Sequence, residues 1–510
     1  MGRQSGGTQV AGPNVRHVVQ LRRVAHAIRG PVGIAVLAGS FAVALRLPFL
    51  HDPPYADEGG LLVVADHWHT GGPFLYGSFF VDRPPVLLAF FRLAAVGGGL
   101  DALRLLGLVL VLASVTCAGR AGQLLGGTRG AAAAAVTCAA LLADPRIGAR
   151  EIDAETVGVP LVLLAALLAL EALRRTAPAT RTGLLVAAGT AGGTALLVKQ
   201  NLVDGLVVAI VLVVGTAFGR AGERRTAGRA GWVLLGAVVP LGGAVAWSTT
   251  STGPHGLWYA MYGFRIAGSS SLFGSISPAQ LARLQELGRA SLSSGMAVLL
   301  VVSLAVLVRR RPDAVTIALV AMLANEVAGA AAGGYYWLHY LMGLVPATTL
   351  LAARAAGRVR RPLLVGVVVA ATLASTVVAV VQDAWDRTPA DRTEVGALAS
   401  WLQHAARPGD SAVVLYGEAS VFEATRLRPA YPFLWTLPQR VLDPHLSRLV
   451  HTLDHRGGPR FVVVRMALDS WGQDPRGRVG RALTEHYRPA AHVGGDVIYV
   501  RRGRSTQNAP

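Results

Sequence analysis

The sequence predicts a polytopic α-helical membrane protein with an extracytoplasmic α/β domain at its C-terminal end. Three observations carry that prediction. Of the 510 residues, 52% are hydrophobic and 15% charged, and the mean hydropathy is +0.46, the balance of a bilayer-spanning chain. About eleven apolar runs of spanning character follow one another. The formal charge of +19 comes from arginines set in short loops between those runs, a pattern that orients membrane proteins. Spread in this way, the charge argues against nucleic acid as a partner.

In chain order, residues 1–30 form a basic leader with Arg16, Arg22, Arg23 and Arg29, expected in the cytoplasm and without a cleavable signal. The multi-span region runs over 31–382, and 31–50 makes its first crossing. Residues 51–102 are then the first outer loop. Asp57 and Glu58 follow Pro53 and Pro54, where a helix starts and carboxylates suit its positive end. Asp82 and Arg83 stand just before Pro84 and Pro85, which begin another helix without interrupting it. The stretch 84–99 is short for a span and ends in three glycines, which predicts a helix near the outer surface.

Spans are expected at about 103–119, 130–144, 157–173, 183–198, 202–219, 231–248, 292–308, 314–332, 338–353 and 363–381. With these boundaries Arg120 and Arg129, Arg174, Arg175 and Arg181, Arg220, Arg224, Arg225 and Arg229, Arg309 to Arg311, and Arg354, Arg358, Arg360 and Arg361 all fall on the cytoplasmic side. A crossing at 84–99 would move every later cluster outside. The outer loops then carry Asp153 and Glu155, Lys199, the segment GPHGLWYAMYGFRIAG with Tyr259 and Arg265, and GGYYWLHY with His339 and Tyr340. Taken singly, Trp258, Tyr259, Tyr335 and Trp337 suit interfacial anchors.

Residues 383–500 change composition and suffice for a small domain. AVVLYG, RFVVV and DVIYVRR predict strands, TEVGALASWLQHA and GRVGRALTEHY predict helices, and RPAYPFLWTLP predicts a loop. An odd number of spans places this domain outside, and 501–510 reads as a disordered tail. Cys117 and Cys138 both lie in apolar runs and make no disulfide framework.

Carboxylates, cations and aromatic rings on one membrane face suit transfer from a lipid-linked anionic donor to a polar acceptor. Asp57 can take an acceptor's proton, and Arg83, Lys199 or Arg265 can hold a phosphate. Each also has a plainer role: Asp57 as a helix cap, Lys199, the only lysine, as a snorkelling cation, and Asp153 with Glu155 as a solvated loop. His67 and His69, two residues apart, do not share a helix face as metal ligands would.

In their order and sidedness, the Asp57-Glu58 pair, DRPP at 82–85, DAE at 153–155, Lys199-Gln200, LWYAMYGFR and HYLMGLVP at 339–346 resemble the motifs of GT-C membrane glycosyltransferases. The likeness is to the protein O-mannosyltransferase and lipid-A aminoarabinose transferase kind, glycosyltransferase family 39. It covers most of the membrane region. It implies inverting transfer of a hexosyl or pentosyl group from a polyprenyl-phosphate sugar to an envelope glycan, lipid or protein outside the plasma membrane. Asp57 would be the base beside Glu58, with Arg83, Lys199, Arg265, His339 and Tyr340 at the donor phosphate. Asp153, Glu155 and Tyr259 would stand on the acceptor side, and Asp82 would ligate a divalent metal. Arginine at 83 replaces the family's lysine, and GFRIAG has no counterpart of the family's metal-partnering histidine. The rival reading is a transporter or flippase of a lipid-linked saccharide, but transporters place their binding groups near the bilayer midplane. A non-catalytic scaffold would leave the first loop without a purpose.

Overall fold

The computed structural model describes residues 30–216, 223–269, 277–309, 311–359, 363–386 and 393–503. The leader before Gly30, the tail from 504, Arg220, Arg310, Arg360, Arg361 and the side chains of Arg224 and Arg225 lie outside the described residues.

Each apolar run is helical, but not each is long. Pro31–Arg46 with the 3₁₀ turn after it, Leu100–Leu141, Ala154–Arg174, Gly228–Ser248, Ala314–Ala332 and Leu363–Trp385 are long and apolar enough to cross a membrane, which makes six. Pro278–Ser293 and Met296–Val308, bent by 66°, raise the count to seven if taken as one span. Length and composition therefore do not reach eleven. Asp204–Gly215 has 12 residues, or roughly 18 Å of helix against a hydrocarbon core of about 30 Å. Pro178–Leu196 is long enough but rich in Gly and Thr. Pro85–Gly97, 13 residues long, is likewise too short to cross alone.

Leu100–Leu141 folds back on itself. Gly126 and Gly127 leave helical geometry, Gly127 at φ 63°, a left-handed turn that glycine makes without steric cost. The two arms then touch: a Cβ on Gly122 would lie 2.4 Å from the Gly130 carbonyl oxygen. Small residues bring other helices to backbone contact, as lipid-facing bundles favour. At Gly189 a Cβ would meet the Val233 carbonyl at 1.9 Å, and at Gly236 the Val186 carbonyl at 2.0 Å.

Cations collect near the tip of that hairpin. Arg120 and Arg175 pair with Glu171, Arg354 and Arg358 with Asp313, and Arg354 donates to the Leu125 carbonyl at 3.1 Å.

The C-terminal segment builds a five-stranded sheet in the order β2-β1-β3-β5-β4. The strands are β1 (Ser411–Leu415), β2 (Arg428–Pro429), β3 (Phe461–Val464), β4 (Tyr487–Val493) and β5 (Asp496–Arg501). β2, β1 and β3 are parallel, and β5 and β4 add antiparallel. Side chains alternate along β1. Ala412 and Val414 join the main core that also holds Leu61 to Ala65 of the Ala56–Asp66 helix, while Val413 and Leu415 face a second core with Leu449, Leu453 and Leu483. AVVLYG, RFVVV and DVIYVRR supply β1, β3 and β5. β4 begins on an otherwise helical-looking TEHY and contains Pro489, so period alone does not reveal it.

Candidate active site

The Ala56–Asp66 helix is fixed from beneath by one buried arginine. Arg104, 3% exposed, donates to the carbonyls of Phe49, Leu50, Asp52 and Pro53 at 2.8 to 3.2 Å. The same guanidinium meets Glu58 at 2.9 Å. Glu58 is 0% exposed and also accepts from the backbone N–H of Tyr55 at 3.1 Å and of Ile152 at 2.9 Å. Sequence paired Glu58 with Asp57 in the chemistry. The geometry points Glu58 inward with both oxygens occupied, because a buried carboxylate needs that many donors.

Asp57, one residue earlier, faces the other way. Its Oδ1 accepts from Trp435 Nε1 at 2.9 Å and its Oδ2 faces Arg83 at 3.4 Å, so it caps no helix end. Trp435 reaches it because the helix carries Gly59 and Gly60: a Cβ there would lie 2.5 Å from Ser420 Cα and 2.4 Å from the Trp435 ring. The Phe80 N–H to Pro432 carbonyl bond of 3.1 Å holds the same seam. Burial pushes the Asp57 carboxyl up, but the charges of Arg83 and His339, the indole hydrogen bond and Lys199 outweigh it and hold the group below the usual carboxylate range.

Arg83 and Arg265 grip Asp82 from two sides, at 3.0 Å on Oδ1 and 2.5 Å on Oδ2. Asp82 was expected as a metal ligand; with a guanidinium on each oxygen, a cation there would have to displace one of them. Lys199 pairs with buried Glu155 and lies 4.6 Å over the Tyr340 ring. Burial lowers the Lys199 ammonium, and Glu155 more than restores it. Glu155 is therefore Lys199's counter-ion rather than an open acceptor contact. Tyr259, within a π-helical turn, packs against Phe80 and Phe264 at ring-centroid distances of 6.3 and 6.5 Å.

Glu151, Asp153 and His339 form a group whose ligand atoms all lie within 4.8 Å of one another. His339 Nδ1 is 3.1 Å from Glu151 and 3.9 Å from Asp153. Asp153 caps the Ala154–Arg174 helix through Oδ1, accepting from the Thr156 N–H at 2.7 Å, while its buried Oδ2 has no hydrogen-bond partner. Burial and the nearby Glu155 and Glu151 charges push Asp153 up to about 8. The carboxylates of Glu155, Glu151 and Asp153 all bear on the His339 imidazole. One nitrogen and two carboxylates with an orphaned buried oxygen fit a divalent ion, which would take the place of the proton on the imidazole.

Sequence missed Arg104, Trp435 and Glu151. An arginine inside an apolar run was the available signal for Arg104. Trp435 lies 378 residues from Asp57 in a segment read as loop, and nothing local marks it.

No family model matches the sequence, and no curated protein matches it. Solved structures do. The chain is similar to ArnT from Cupriavidus metallidurans bound to undecaprenyl phosphate, with a TM-score of 0.63, 15% identity, and 93% of this chain and 98% of that chain covered. It is also similar to the Archaeoglobus fulgidus oligosaccharyltransferase: 0.57 in the apo form at 11% identity, covering 85% and 69%, and 0.55 in a complex with Zn and sulfate at 13% identity, covering 92% and 73%. These likenesses show a GT-C-like membrane fold.

Proposed function

We propose that this chain is an integral-membrane glycosyltransferase that moves a sugar from a polyprenyl-phosphate donor to a hydroxyl of an extracytoplasmic envelope acceptor, with inversion. The observation that carries the reading is Asp57: a carboxylate 25% exposed, held ionised beside three cations in a GT-C-like fold. Undecaprenyl phosphate on the similar ArnT structure and an acceptor peptide tethered to the archaeal oligosaccharyltransferase support a lipid-linked donor and a separate acceptor. In this reading the helices cross the plasma membrane eleven times, the cationic hairpin end faces the cytoplasm, and Asp57 and the sheet lie outside.

The acceptor oxygen attacks the anomeric carbon as Asp57 takes the hydroxyl proton; the bond from that carbon to the phosphate oxygen breaks, and polyprenyl phosphate leaves with the electron pair. Arg83, Arg265 and Lys199 stabilise the charge gathering on the phosphate. Tyr335, whose buried hydroxyl has no partner and which feels the charge of Arg265, supplies a neutral donor to the same group. Arg83 plays a second part. Drawn toward the phosphate, it relaxes its hold on Asp57 and leaves the carboxylate more basic when the donor is bound.

The test is to incubate purified protein with candidate polyprenyl-phosphate sugars and an envelope fraction, and to follow free polyprenyl phosphate and labelled acceptor together. Stoichiometric appearance of both is expected; donor carried across a vesicle bilayer unchanged would replace the enzyme by a flippase. Lys199→Ala should weaken donor handling by about 1.5 to 3 kcal/mol, the scale of a hydrogen bond to a charged group, measured as donor KM and affinity. Normal values would make Lys199 a structural partner of Glu155 only. For the metal, adding a divalent ion should raise the thermal midpoint of the parent protein but not of Asp153→Asn. An equal rise in both would remove Asp153 from the ligand set.

A further inference from the structure

We infer that the edge of the C-terminal sheet carries a binding cleft for an anionic saccharide, which holds an acidic stretch of the acceptor glycan; the acceptor role rests on the transferase reading above. A cleft of about 480 Å³ opens between the first loop and β2. Arg428 on β2 and Arg448 on the Ser447–Asp454 helix both line it, and no carboxylate does. Neither guanidinium is ion-paired among the described residues. The nearby acids are engaged elsewhere. Asp443 is buried and accepts from the Tyr431 hydroxyl at 2.8 Å and from the backbone N–H groups of Arg448 and Leu449. Asp410 pairs with Arg460, and Asp454 with His486.

Arg448 is nevertheless held in place. Its guanidinium sits 5.9 Å from the Phe74 ring centroid and 5.8 Å from that of Phe433, contacts that fix the cation without spending its N–H donors. A planar fork held this way suits bidentate capture of a phosphate or carboxylate. The buried rings of Phe79 and Tyr431 form an apolar floor, and Ser78, Thr452 and His455 make the rim polar. That rim suits a sugar chain better than a lipid surface, which needs apolar side chains to insert.

The cleft also lies close to Asp57 along the chain. Tyr431 is four residues before Trp435, so its wall ends no more than about 14 Å of chain from the indole that touches Asp57. A glycan anchored there places its growing end toward the carboxylate, and binding energy far from the reacting atoms serves to position it.

The experiment uses the full chain in nanodiscs of phosphatidylcholine, with dextran phosphate oligosaccharides as probe, against unmodified dextran, polyglutamate and phosphatidylglycerol vesicles. Dextran phosphate should bind more tightly than the other three, and Arg428→Ala with Arg448→Ala should weaken it by about tenfold or more, the loss expected of charge-assisted contacts. The double lysine variant, which keeps both charges, should retain part of the binding if the cleft is intact. Equal binding by parent and double alanine variant would overturn the inference, as would polyglutamate or the vesicles binding as well as dextran phosphate. Release of polyprenyl phosphate is followed in the same samples. Release without arginine-dependent binding ends the cleft and leaves the transferase reading standing. Arginine-dependent binding without release in any variant does the reverse.

Discussion

Asp57→Asn should lower sugar transfer by about 10² to 10⁴, the usual contribution of a positioned general base, while donor affinity and folding stay near those of the parent. An acceptor hydroxyl is a weak nucleophile until its proton begins to leave, whereas a departing phosphate needs no proton. The amide keeps the side chain's shape and can still accept from Trp435, so the lost element is proton affinity. The comparison that decides is single-turnover transfer together with donor binding. Transfer within a few-fold of the parent would end the assignment to Asp57. Glu58→Gln separates the two acids further: its oxygens are consumed by Arg104 and two backbone N–H groups, so its cost should appear in thermal stability, with turnover per folded molecule much less affected.

Arg104→Met, in the Leu100–Leu141 helix beneath the first loop, should be the substitution that destabilises that loop most. It leaves Glu58 as a buried charge without its counter-ion and strips a donor from four carbonyls, and removing one partner of a buried pair typically costs about 3 to 5 kcal/mol. Adding Glu58→Leu to Arg104→Met should recover part of that loss, since an apolar pair is less costly than a lone buried charge. Denaturation in detergent, read on single and double variants, supplies the check; a double variant no better than Arg104→Met would show that the carbonyl contacts, not the charge pair, dominate.

What the sequence reveals here follows from which forces are local. Apolar runs, prolines before a helix and arginines between runs are local, so the helices, the acids between them and the cation clusters can be read directly. Arg83 with Asp82, adjacent in sequence, is legible for the same reason. The hairpin at Gly126 and Gly127 is half legible: two runs are evident, their continuity through a glycine turn is not. Long-range contacts are not legible. Glu58 and Asp57 differ only in which side of one helix turn they occupy, and that side is decided by Arg104 at position 46 residues further on. Likewise Lys199 reads as an open cation until Glu155 is seen against it.

The sheet that shares its core with the Ala56–Asp66 helix has a mechanical consequence. Ala412 and Val414 pack in the same apolar cluster as Leu61 to Ala65, and two missing side chains at Gly59 and Gly60 let the surfaces mesh. A junction in which Ser420 and Trp435 close directly on Gly59 and Gly60 resists rotation of one surface over the other. The C-terminal segment is therefore set as a fixed wall against that helix rather than as a hinged cover, and in the proposed transferase an acceptor would have to enter along its edges. Cut free, residues 394–503 would keep the Glu394–Ala405 helix packed on the sheet through Trp401 and Phe461 but would expose Ala419, Ser420 and the Trp435 ring, which Gly59 and Gly60 cover in the whole chain.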